Sequence, residues 1–426
     1  MIRRIGGRVR RVARAPLMPF RRAAESAVLL AGSLEPILLA LWRSLRAPRS
    51  SSRIRVGVDI HPFYEPLTGV GWYLHFLLER LAARPDLEIV ALGQPVLDAA
   101  TPPLHIELPP TVRQARFDFE GRAPTRATRL LGRLAYPLLI RLERCDLIFG
   151  ANYFLPRSIA TAAERRVITV HDLTYRRHPE LLQEETLQNL SREMLREITR
   201  ADAVICVSES TRRDLIEFYE ADPRRIVAIP SGPPPSRPAG HPALQLPARY
   251  VLFVSTIEPR KDLDTLLRAF EILKDGGYPG ALVIAGRVGW KSEATVERIQ
   301  KSRWSREIVR LDYVERDQLP WLYRSAEVFV LPSRYEGFGF PLLEAMAEGA
   351  PVIAASNSSL PEVGGAGALY FETGDAEGLA RLIAKVANDP LLRRNLIDAG
   401  RRNLERFSWD RAAEQTVALF RRVARR

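Results

Sequence analysis

The chain has 426 residues, of which 46% are hydrophobic; this length allows two domains of ordinary size, and the composition is that of a globular protein. Its two cysteines, Cys145 and Cys206, lie in apolar strand-like runs, which argues against a disulfide framework and indicates a reducing compartment. The net charge is +13, but residues 1–53 hold twelve arginines and two glutamates and therefore ten of these charges. Residues 54–426 have nearly equal numbers of positive and negative side chains. They show no zinc-finger spacing or helix-turn-helix pattern, so we expect no nucleic-acid partner.

The arm formed by residues 1–53 contains an apolar run at residues 23–42, which is just long enough to span a bilayer. Glu25, Glu35 and Pro36 interrupt it, and a carboxylate near the bilayer centre costs about 2.5–3.5 kcal/mol. The run starts late and lacks a clear cleavage site, so a signal peptide is not expected. We favour an amphipathic interfacial segment whose arginines meet anionic lipid. An unstructured extension, or a start codon assigned too far upstream, stays open.

From residue 54 onward, short β-branched runs alternate with helical stretches, a pattern typical of parallel sheets with helices on both faces. Two such series are separated by residues 229–250, which contain seven prolines and two glycines and therefore predict a linker. We predict a first α/β domain at 54–230, a linker at 231–248, a second α/β domain at 249–405 and a terminal amphipathic helix at 406–426. The strands are predicted at 54–60, 87–93, 145–152, 165–173, 201–210, 250–258, 281–288, 308–314, 326–333, 350–356 and 368–371, and the first helix at 72–84.

Open parallel sheets bind ligands at the carboxyl ends of their strands, and four candidate segments lie at such positions. In the turn TGVGWY, Gly69 and Gly71 would let the backbone approach an anion near a helix start. A tight turn without a ligand explains these glycines equally well.

His171 lies near the end of the run RRVITVHDL. It could hydrogen-bond a ligand hydroxyl or stabilise a leaving group, or it could be a core histidine bonded to backbone. Asp172 is expected to cap the turn that follows.

The other two segments belong to the second series. In STIEPRKD, Arg260 and Lys261 precede a helical run and would suit a diphosphate, unless they only form surface ion pairs. In the segment 332–353, a glycine loop leads into a helix, with Glu336 in the loop and Glu344 expected in the first helical turn. Glu344 could therefore be a partner of the helix dipole, whereas Glu336 could accept hydrogen bonds from ligand hydroxyls. We find no metal-ligand spacing, Asp-x-Asp motif or Walker sequence, and we expect no metal.

The segment EGFGFPLLE, in which Glu336 and Glu344 stand eight residues apart, resembles the E-x7-E motif of retaining glycosyltransferases of family 4. The resemblance covers nearly all of residues 54–425 and extends, in order, to the glycine turn, VHDL, STIEPRKDL, AGRVGW, YVERDQLPWLY, SSLPEVGGAGALYF and FSWDRAA. It implies the GT-B fold: an α/β protein with two Rossmann-like domains facing a central cleft and a C-terminal helix that crosses back to the N-terminal domain.

The resemblance also implies roles for the candidate residues. Lys261, with Arg260, would bind the donor diphosphate; Glu344 would bind the ribose hydroxyls, and Glu336 those of the donor sugar. His171 would contact the transferred sugar from the other domain. The remaining donor contacts implied are Gly69, Gly71, which would admit the phosphates, Val314, Gly337, Phe338 and Gly339.

This sequence departs from many relatives at one place, since Ser255 and Thr256 stand where glycine and arginine are common. Arg260 would then have to supply the second cation alone.

The resemblance implies transfer with retention of configuration, without metal or cofactor, from a nucleotide-sugar co-substrate. The variants TGVGWY, HDLTYRRHP and STIEPRKDL are most similar to bacterial mannosyltransferases of polysaccharide biosynthesis. We therefore expect GDP-mannose as donor, with UDP-sugars as the alternative, and a lipid-linked or oligosaccharide acceptor of O-antigen or exopolysaccharide assembly. The expected location is the cytoplasm, at the inner face of the plasma membrane. A GT-B nucleotide-sugar epimerase or an inactive subunit of a membrane assembly would be the alternatives from other classes.

Overall fold

The computed structural model describes residues 34–46, 52–97, 103–118, 125–160, 162–235 and 246–425. Most of the predicted N-terminal arm, and residues 236–245 of the predicted linker, lie outside the described residues.

The first domain is built on a seven-stranded parallel sheet in the order β3-β2-β1-β4-β5-β6-β7. The order reverses beside β1, as in doubly wound folds, which places a crevice at the carboxyl ends of the central strands. The strands are β1 Ile54–Asp59, β2 Leu87–Leu97, β3 Arg113–Asp118, β4 Leu147–Gly150, β5 Arg166–Val170, β6 Ala203–Cys206 and β7 Ile226–Ala228. The helices are α1 at residues 34–46, α2 Gly69–Ala82, α3 Arg126–Leu142, α4 Thr174–Arg177, α5 Glu184–Arg200 and α6 Glu209–Tyr219.

The second domain is built on a six-stranded parallel sheet in the order β10-β9-β8-β11-β12-β13. Its central strands are apolar throughout because helices cover both faces. The strands are β8 Tyr250–Val254, β9 Ala281–Ala285, β10 Ile308–Leu311, β11 Val328–Leu331, β12 Val352–Ala355 and β13 Ala368–Phe371. The helices are α7 Leu263–Asp275, α8 Glu293–Lys301, α9 Leu319–Ser325, α10 Phe340–Ala347, α11 Leu360–Gly364, α12 Ala376–Asn388, α13 Pro390–Leu404 and α14 Trp409–Ala424.

The last helix, α14, returns to the first domain and packs on α2, β1 and β4. Phe420 is fully buried there, with its ring 5.4 Å from that of Phe149. At the start of α14, Trp409 packs between Phe76 of the first domain and Phe340 of the second, at ring distances of 5.4 and 6.2 Å. The helix therefore completes the core of one domain and joins it to the other. The predicted α/β class, the GT-B architecture and the crossing helix are confirmed.

The remaining helices of the first domain cover the opposite face of its sheet, where α3 and α5 pack over a second core cluster that includes Tyr136, Leu139 and Ile198. Cys145 and Cys206 are buried and free, as the apolar runs around them predicted. Ile37 of α1 belongs to this cluster too. None of the helices in the described residues is both long and apolar enough to cross a bilayer.

The structure differs from the sequence prediction at several element boundaries. Strands β3 and β7 were not predicted, because they lie toward the sheet edge and contain few fully buried positions. The terminal segment is broken: α13 ends at Leu404, and α14 begins at Trp409 because the hydroxyl of Ser408 caps it by accepting from Arg411 N at 3.3 Å. The first helix begins at Gly69, three residues before the predicted start.

We predict that Phe420→Ala lowers the free energy of unfolding by about 3–5 kcal/mol, because it leaves a cavity against Phe149 in the core of the first domain. Urea unfolding followed by circular dichroism measures this change. Leu391→Ala, at a side chain that is 63% exposed in the second domain, is the control and should change the value by less than about 1 kcal/mol. Equal effects of the two substitutions would show that α14 is not part of the core.

Candidate functional site

A cavity of about 830 Å³ lies between the two sheets. Its walls come from the segments that follow β1, β4, β5 and β6 in the first domain and β8, β9, β10 and β11 in the second. The carboxyl ends of both sheets thus face one space, as expected for ligand sites of open parallel sheets. All the residues predicted to bind the donor or to act in catalysis line it except Gly71; they are Gly69, His171, Arg260, Lys261, Val314, Glu336, Gly337, Phe338, Gly339 and Glu344.

The most buried part of this cavity holds an ion cluster. The carboxylate of Glu336, 6% exposed, accepts hydrogen bonds from Lys261 Nζ at 2.6 Å, Arg260 Nη1 at 2.9 Å and Ser333 Oγ at 2.7 Å. Arg260 also pairs with Glu258, at 2.7 Å between Nη2 and Oε1. Two cations and two carboxylates therefore neutralise one another away from bulk water, which a buried charge requires. These are not the surface ion pairs that were one interpretation of Arg260 and Lys261.

The cluster sets the protonation of its members. Burial alone would raise the pKa of Glu336, but the charges of Lys261 and Arg260 and the hydrogen bonds from Lys261 and Ser333 lower it to about 2. Burial lowers the pKa of Lys261, and the neighbouring charge of Arg260 lowers it further, while Glu336 and Glu258 oppose the change. Against its own burial, Arg260 has a raised pKa because of Glu336 and Glu258. At neutral pH, Glu336 is a carboxylate.

The local backbone places the two cations. After β8 the chain forms a short 3₁₀ turn, Pro259–Lys261, whose proline suits the start of a helical turn. Asp262 then takes a left-handed conformation, with φ +48°, and α7 follows. This sharp change of direction leaves Arg260 and Lys261 at the carboxyl end of β8, opposite the loop after β11 that carries Glu336.

That loop approaches the first domain closely at Gly337. A Cβ atom added to Gly337 would lie 1.7 Å from the carbonyl oxygen of His171, so only glycine fits. Thr211 Oγ1 donates to the Gly337 carbonyl at 3.1 Å, and Tyr335 Oη donates to Asp214 at 2.5 Å. The two domains therefore touch on one side of the cavity through the loop of the E-x7-E segment.

His171 directly follows β5 and lines the cavity as predicted. Its Nε2–H donates to the carbonyl of Ala151 at 2.7 Å, as the interpretation of a histidine bonded to backbone requires, and its contact with a ligand stays a prediction. Burial lowers its pKa, although Ala151 and Asp172 oppose this. At neutral pH the imidazole is therefore uncharged, with Nδ1 as a hydrogen-bond acceptor. Asp172 accepts from the backbone N–H of Thr174 at 3.0 Å, which is the capping role expected of it.

Glu344 lies in the second turn of α10, not in the first, because the helix begins at Phe340. The expectation that it partners the helix dipole in the first turn is therefore wrong. Its carboxylate lines the cavity and accepts from Tyr323 Oη at 3.0 Å. Burial raises its pKa, and Arg316 partly opposes this. Two carboxylates of one motif thus have pKa values shifted in opposite directions.

The glycine turn contributes one of its two glycines to the cavity. Gly69 is the first residue of α2, and a Cβ added to it would meet nothing within 4 Å. Gly71 is buried, and a Cβ added to it would lie 2.7 Å from Leu67 Cδ2. The close packing of Gly71 is with its own domain, so the structure favours Gly69 as the position that leaves room for a ligand.

Two helices present their N-termini to the cavity. Residues 68 and 69 begin α2 and residues 337–341 lead into α10. Within the described part of the chain, no side chain caps either N-terminus, at Thr68 or at Gly339, so the first N–H groups of both helices are available to a ligand in the cavity. Gly339 has φ +96°, a conformation that favours glycine.

Four of the lining residues that were not singled out from the sequence form two cation–π pairs. The guanidinium of Arg316 lies 3.8 Å from the ring centre of Trp72 in the other domain, and Arg287 lies over Tyr313 of its own domain at 4.5 Å. The motifs TGVGWY, AGRVGW and YVERDQLPWLY contain these residues, but a contact between side chains that are distant along the chain has no signal in one sequence.

The described residues contain no group of three His, Cys, Asp or Glu side chains placed to hold a metal ion. Operation without a metal stays a prediction.

Comparison with known proteins covers most of the chain. The family described as glycosyltransferase family 4 matches residues 67–237, and the family described as glycosyl transferases group 1 matches residues 241–403. The chain is 29% identical to O-antigen chain mannosyltransferase B of Escherichia coli, over 84% of this chain and 97% of that protein. It is 27% identical to a D-inositol 3-phosphate glycosyltransferase of Streptomyces avermitilis, over 91% of each.

Among solved structures, sucrose-phosphate synthase from Thermosynechococcus elongatus superposes with a TM-score of 0.66 at 23% identity, over 87% of this chain and 99% of that one. This likeness concerns the fold. The two family matches and this shared fold show that the chain is a glycosyltransferase of the GT-B fold. It belongs to glycosyltransferase family 4.

We predict that Glu336→Gln lowers the free energy of unfolding at pH 7 by about 3 kcal/mol, because it leaves Lys261 and Arg260 with one buried anion fewer. The folded pKa of Glu336, about 2, lies below that of an unfolded glutamate. Its contribution is therefore complete above about pH 4.5 and is lost as the pH falls toward about 2. Urea unfolding at several pH values measures the free energies of unfolding of wild type and Glu336→Gln. The difference between these free energies should become smaller as the pH falls through this range.

The control is Glu414→Gln, at an exposed glutamate of α14, which should show no such difference. The ion cluster would be contradicted if the difference in free energy of unfolding between wild type and Glu336→Gln stayed constant down to the lowest pH at which the protein is folded.

Proposed function

We propose that this enzyme transfers a hexose, mannose from GDP-mannose in the first instance, to a lipid-linked or oligosaccharide acceptor in the biosynthesis of a bacterial cell-surface polysaccharide. The observation that carries the proposal is the pair of buried cations, Lys261 and Arg260, in a cavity that two uncapped helix N-termini also face. Such a site suits a diphosphate. The choice of mannose and of an O-antigen or exopolysaccharide product is supported by the similarity to O-antigen chain mannosyltransferase B.

Lys261 and Arg260 already balance Glu336 and Glu258, so the charge of a diphosphate is met in part by the N-termini of α2 and α10 that face the cavity. In the structure, Glu336 forms ion pairs with both cations. A donor diphosphate placed beside Lys261 and Arg260 shares these cations with Glu336, whose carboxylate then has lone pairs available for the hydroxyls of the sugar. Binding of the diphosphate and binding of the sugar are thereby linked through the same side chains.

The ribose hydroxyls of the donor are assigned to Glu344, on the helix that begins beside the diphosphate position. Val314, Phe338 and Gly339 line the same wall. His171 faces this wall from the first domain, and its uncharged imidazole contacts the transferred sugar. The nucleotide thus lies against the second domain and the acceptor enters from the first.

For the reaction we propose front-face transfer with retention. The anomeric carbon loses its bond to the phosphate oxygen while the acceptor hydroxyl oxygen bonds from the same side, and its proton passes to that phosphate oxygen. Lys261, Arg260 and the helix N–H groups stabilise the negative charge of the leaving diphosphate. Five carboxylates line the cavity, and each has a partner, which supports this route over a covalent one. The pairs are Asp172 with Thr174 N, Glu258 with Arg260, Asp312 with Arg310, Glu336 with Lys261 and Glu344 with Tyr323.

We further propose that the enzyme works in the cytoplasm at the inner face of the plasma membrane, where a lipid-linked acceptor is available. The twelve arginines of residues 1–53 support contact with anionic lipid.

We predict that Lys261→Ala weakens binding of the donor by at least about tenfold, because it removes one of two buried cations from the diphosphate site. Isothermal titration calorimetry with GDP-mannose, UDP-glucose and the free nucleoside diphosphates measures this and identifies the base. Lys301→Ala, at a lysine that is 74% exposed, is the matched control. Equal donor binding by Lys261→Ala and wild type would refute the assigned site, and preferred binding of the UDP-sugar would refute the choice of donor.

The stereochemistry of the product is a separate prediction. Because acceptor and leaving group occupy the same face of the sugar, the glycoside should keep the α configuration of the donor. The one-bond C–H coupling at the anomeric carbon, measured by NMR on the product, distinguishes the two anomers. A β-glycoside would rule out front-face transfer, and a changed nucleotide-sugar without any glycoside would identify an epimerase.

A further inference from the structure

Helix α3 presents a row of leucines to solvent. Leu130, Leu131, Leu134 and Leu138 are 59%, 40%, 68% and 51% exposed, and their spacing places them on one side of the helix. The opposite side of α3 is buried in the core through Tyr136, Leu139 and Ile140. The helix is therefore apolar on both sides, which a helix at a protein surface normally is not.

Helix α1, next to the end of α3, adds a second set of exposed apolar side chains. Its Leu38, Trp42 and Leu45 are 62%, 53% and 59% exposed. The helix is attached next to the end of α3, because Ser44 Oγ donates to Glu143 at 2.6 Å and Arg144 Nη2 donates to the carbonyl of Leu45 at 3.3 Å. We call the exposed sides of α1 and α3 together the two-helix face.

Eight of the fourteen large hydrophobic side chains that are exposed in the described residues lie on these two helices. Scattered exposed leucines are ordinary, but a concentration of this kind marks a surface that binds something apolar.

The charges of the two-helix face are mainly positive, and Glu35 of α1 is the one acidic residue on the two helices. Arg43 and Arg46 on α1 and Arg126, Arg133 and Arg141 on α3 are exposed, and α3 contains no acidic residue. The guanidinium of Arg46 lies over the ring of Trp42 at 4.7 Å. Arginines interspersed with leucine and tryptophan on a surface helix are the pattern of a helix that lies in a bilayer interface.

We propose that the two-helix face binds the surface of a bilayer that contains anionic lipid. The leucines and Trp42 enter the headgroup region while the arginines meet lipid phosphates. A second copy of the chain is a poorer partner, since a symmetric contact would bring five exposed arginines of each face together with only Glu35 of each to pair them. The inference rests on the proposed function only in one respect, that the bilayer is the one that carries the lipid-linked acceptor. It assigns part of the membrane binding to α3, and not to the arginine-rich arm alone.

The test uses the full chain and lipid vesicles without donor or acceptor. Sedimentation with phosphatidylcholine vesicles that contain phosphatidylglycerol should show binding, and vesicles of phosphatidylcholine alone should bind far less. The combined variant Leu130→Ser, Leu134→Ser, Leu138→Ser should weaken binding at least about tenfold, because three apolar contacts with the bilayer are lost. Arg126→Glu with Arg133→Glu should do the same and reduce the salt dependence. Leu391→Ser, in the second domain, is the matched control.

Three results would overturn the proposal. The first is unchanged vesicle binding by the leucine variant. The second is loss of binding only when residues 1–33 are removed, which would make the arm the whole anchor. The third is a change of oligomeric state in the variants, seen by light scattering, with no change in vesicle binding. Calorimetric donor binding by each variant shows that the cavity is intact, so failure here is separate from failure of the proposed transferase.

Discussion

The pairing of Glu336 with Lys261 and Arg260 is the interaction on which the arrangement of the cleft depends. The segment after β8 supplies two cations, Arg260 and Lys261, but only one buried carboxylate, Glu258. An unpaired buried charge would be costly, so the loop after β11 lies against this segment and supplies the second carboxylate, Glu336. That position brings Gly337 against the carbonyl of His171 and starts α10 at the wall of the cavity. An electrostatic requirement within the second domain thus decides where the two domains meet.

The contacts between the domains differ in character across the cleft. Near the ion cluster they are short and specific: Glu362 of the second domain accepts from the backbone N–H groups of Glu209 and Ser210 at 2.8 and 2.9 Å, at the start of α6. A carboxylate at a helix N-terminus is stabilised by the helix dipole. Elsewhere, Trp290 Nε1 donates to the carbonyl of Leu181 at 3.0 Å and Lys291 Nζ to that of Leu182 at 2.6 Å. The guanidinium of Arg316 over the ring of Trp72 adds an aromatic contact. Polar and aromatic contacts on different sides of the cavity thus define the relative position of the domains.

Much of this arrangement could be predicted from the sequence, because continuous apolar runs mark buried parallel strands and because Glu336, Lys261 and His171 stand in motifs at strand ends. Where the prediction failed, the cause was packing between segments that are distant in sequence. The true start of α10 moves Glu344 into the second turn, and α2 begins early enough to bury Gly71. Pairings across the cleft, and the edge strands β3 and β7, depend on neighbours that are distant in sequence.

The return of α14 to the first domain has a consequence for the order of events during synthesis. Phe420 and Trp409 belong to the last twentieth of the chain, yet they complete the packing around β4 and α2. Domains of most chains fold as they emerge, N-terminal first. Here the first domain to be translated is completed only by residues of α14, so removal of residues 409–426 would leave the first domain, rather than the second, with an exposed core.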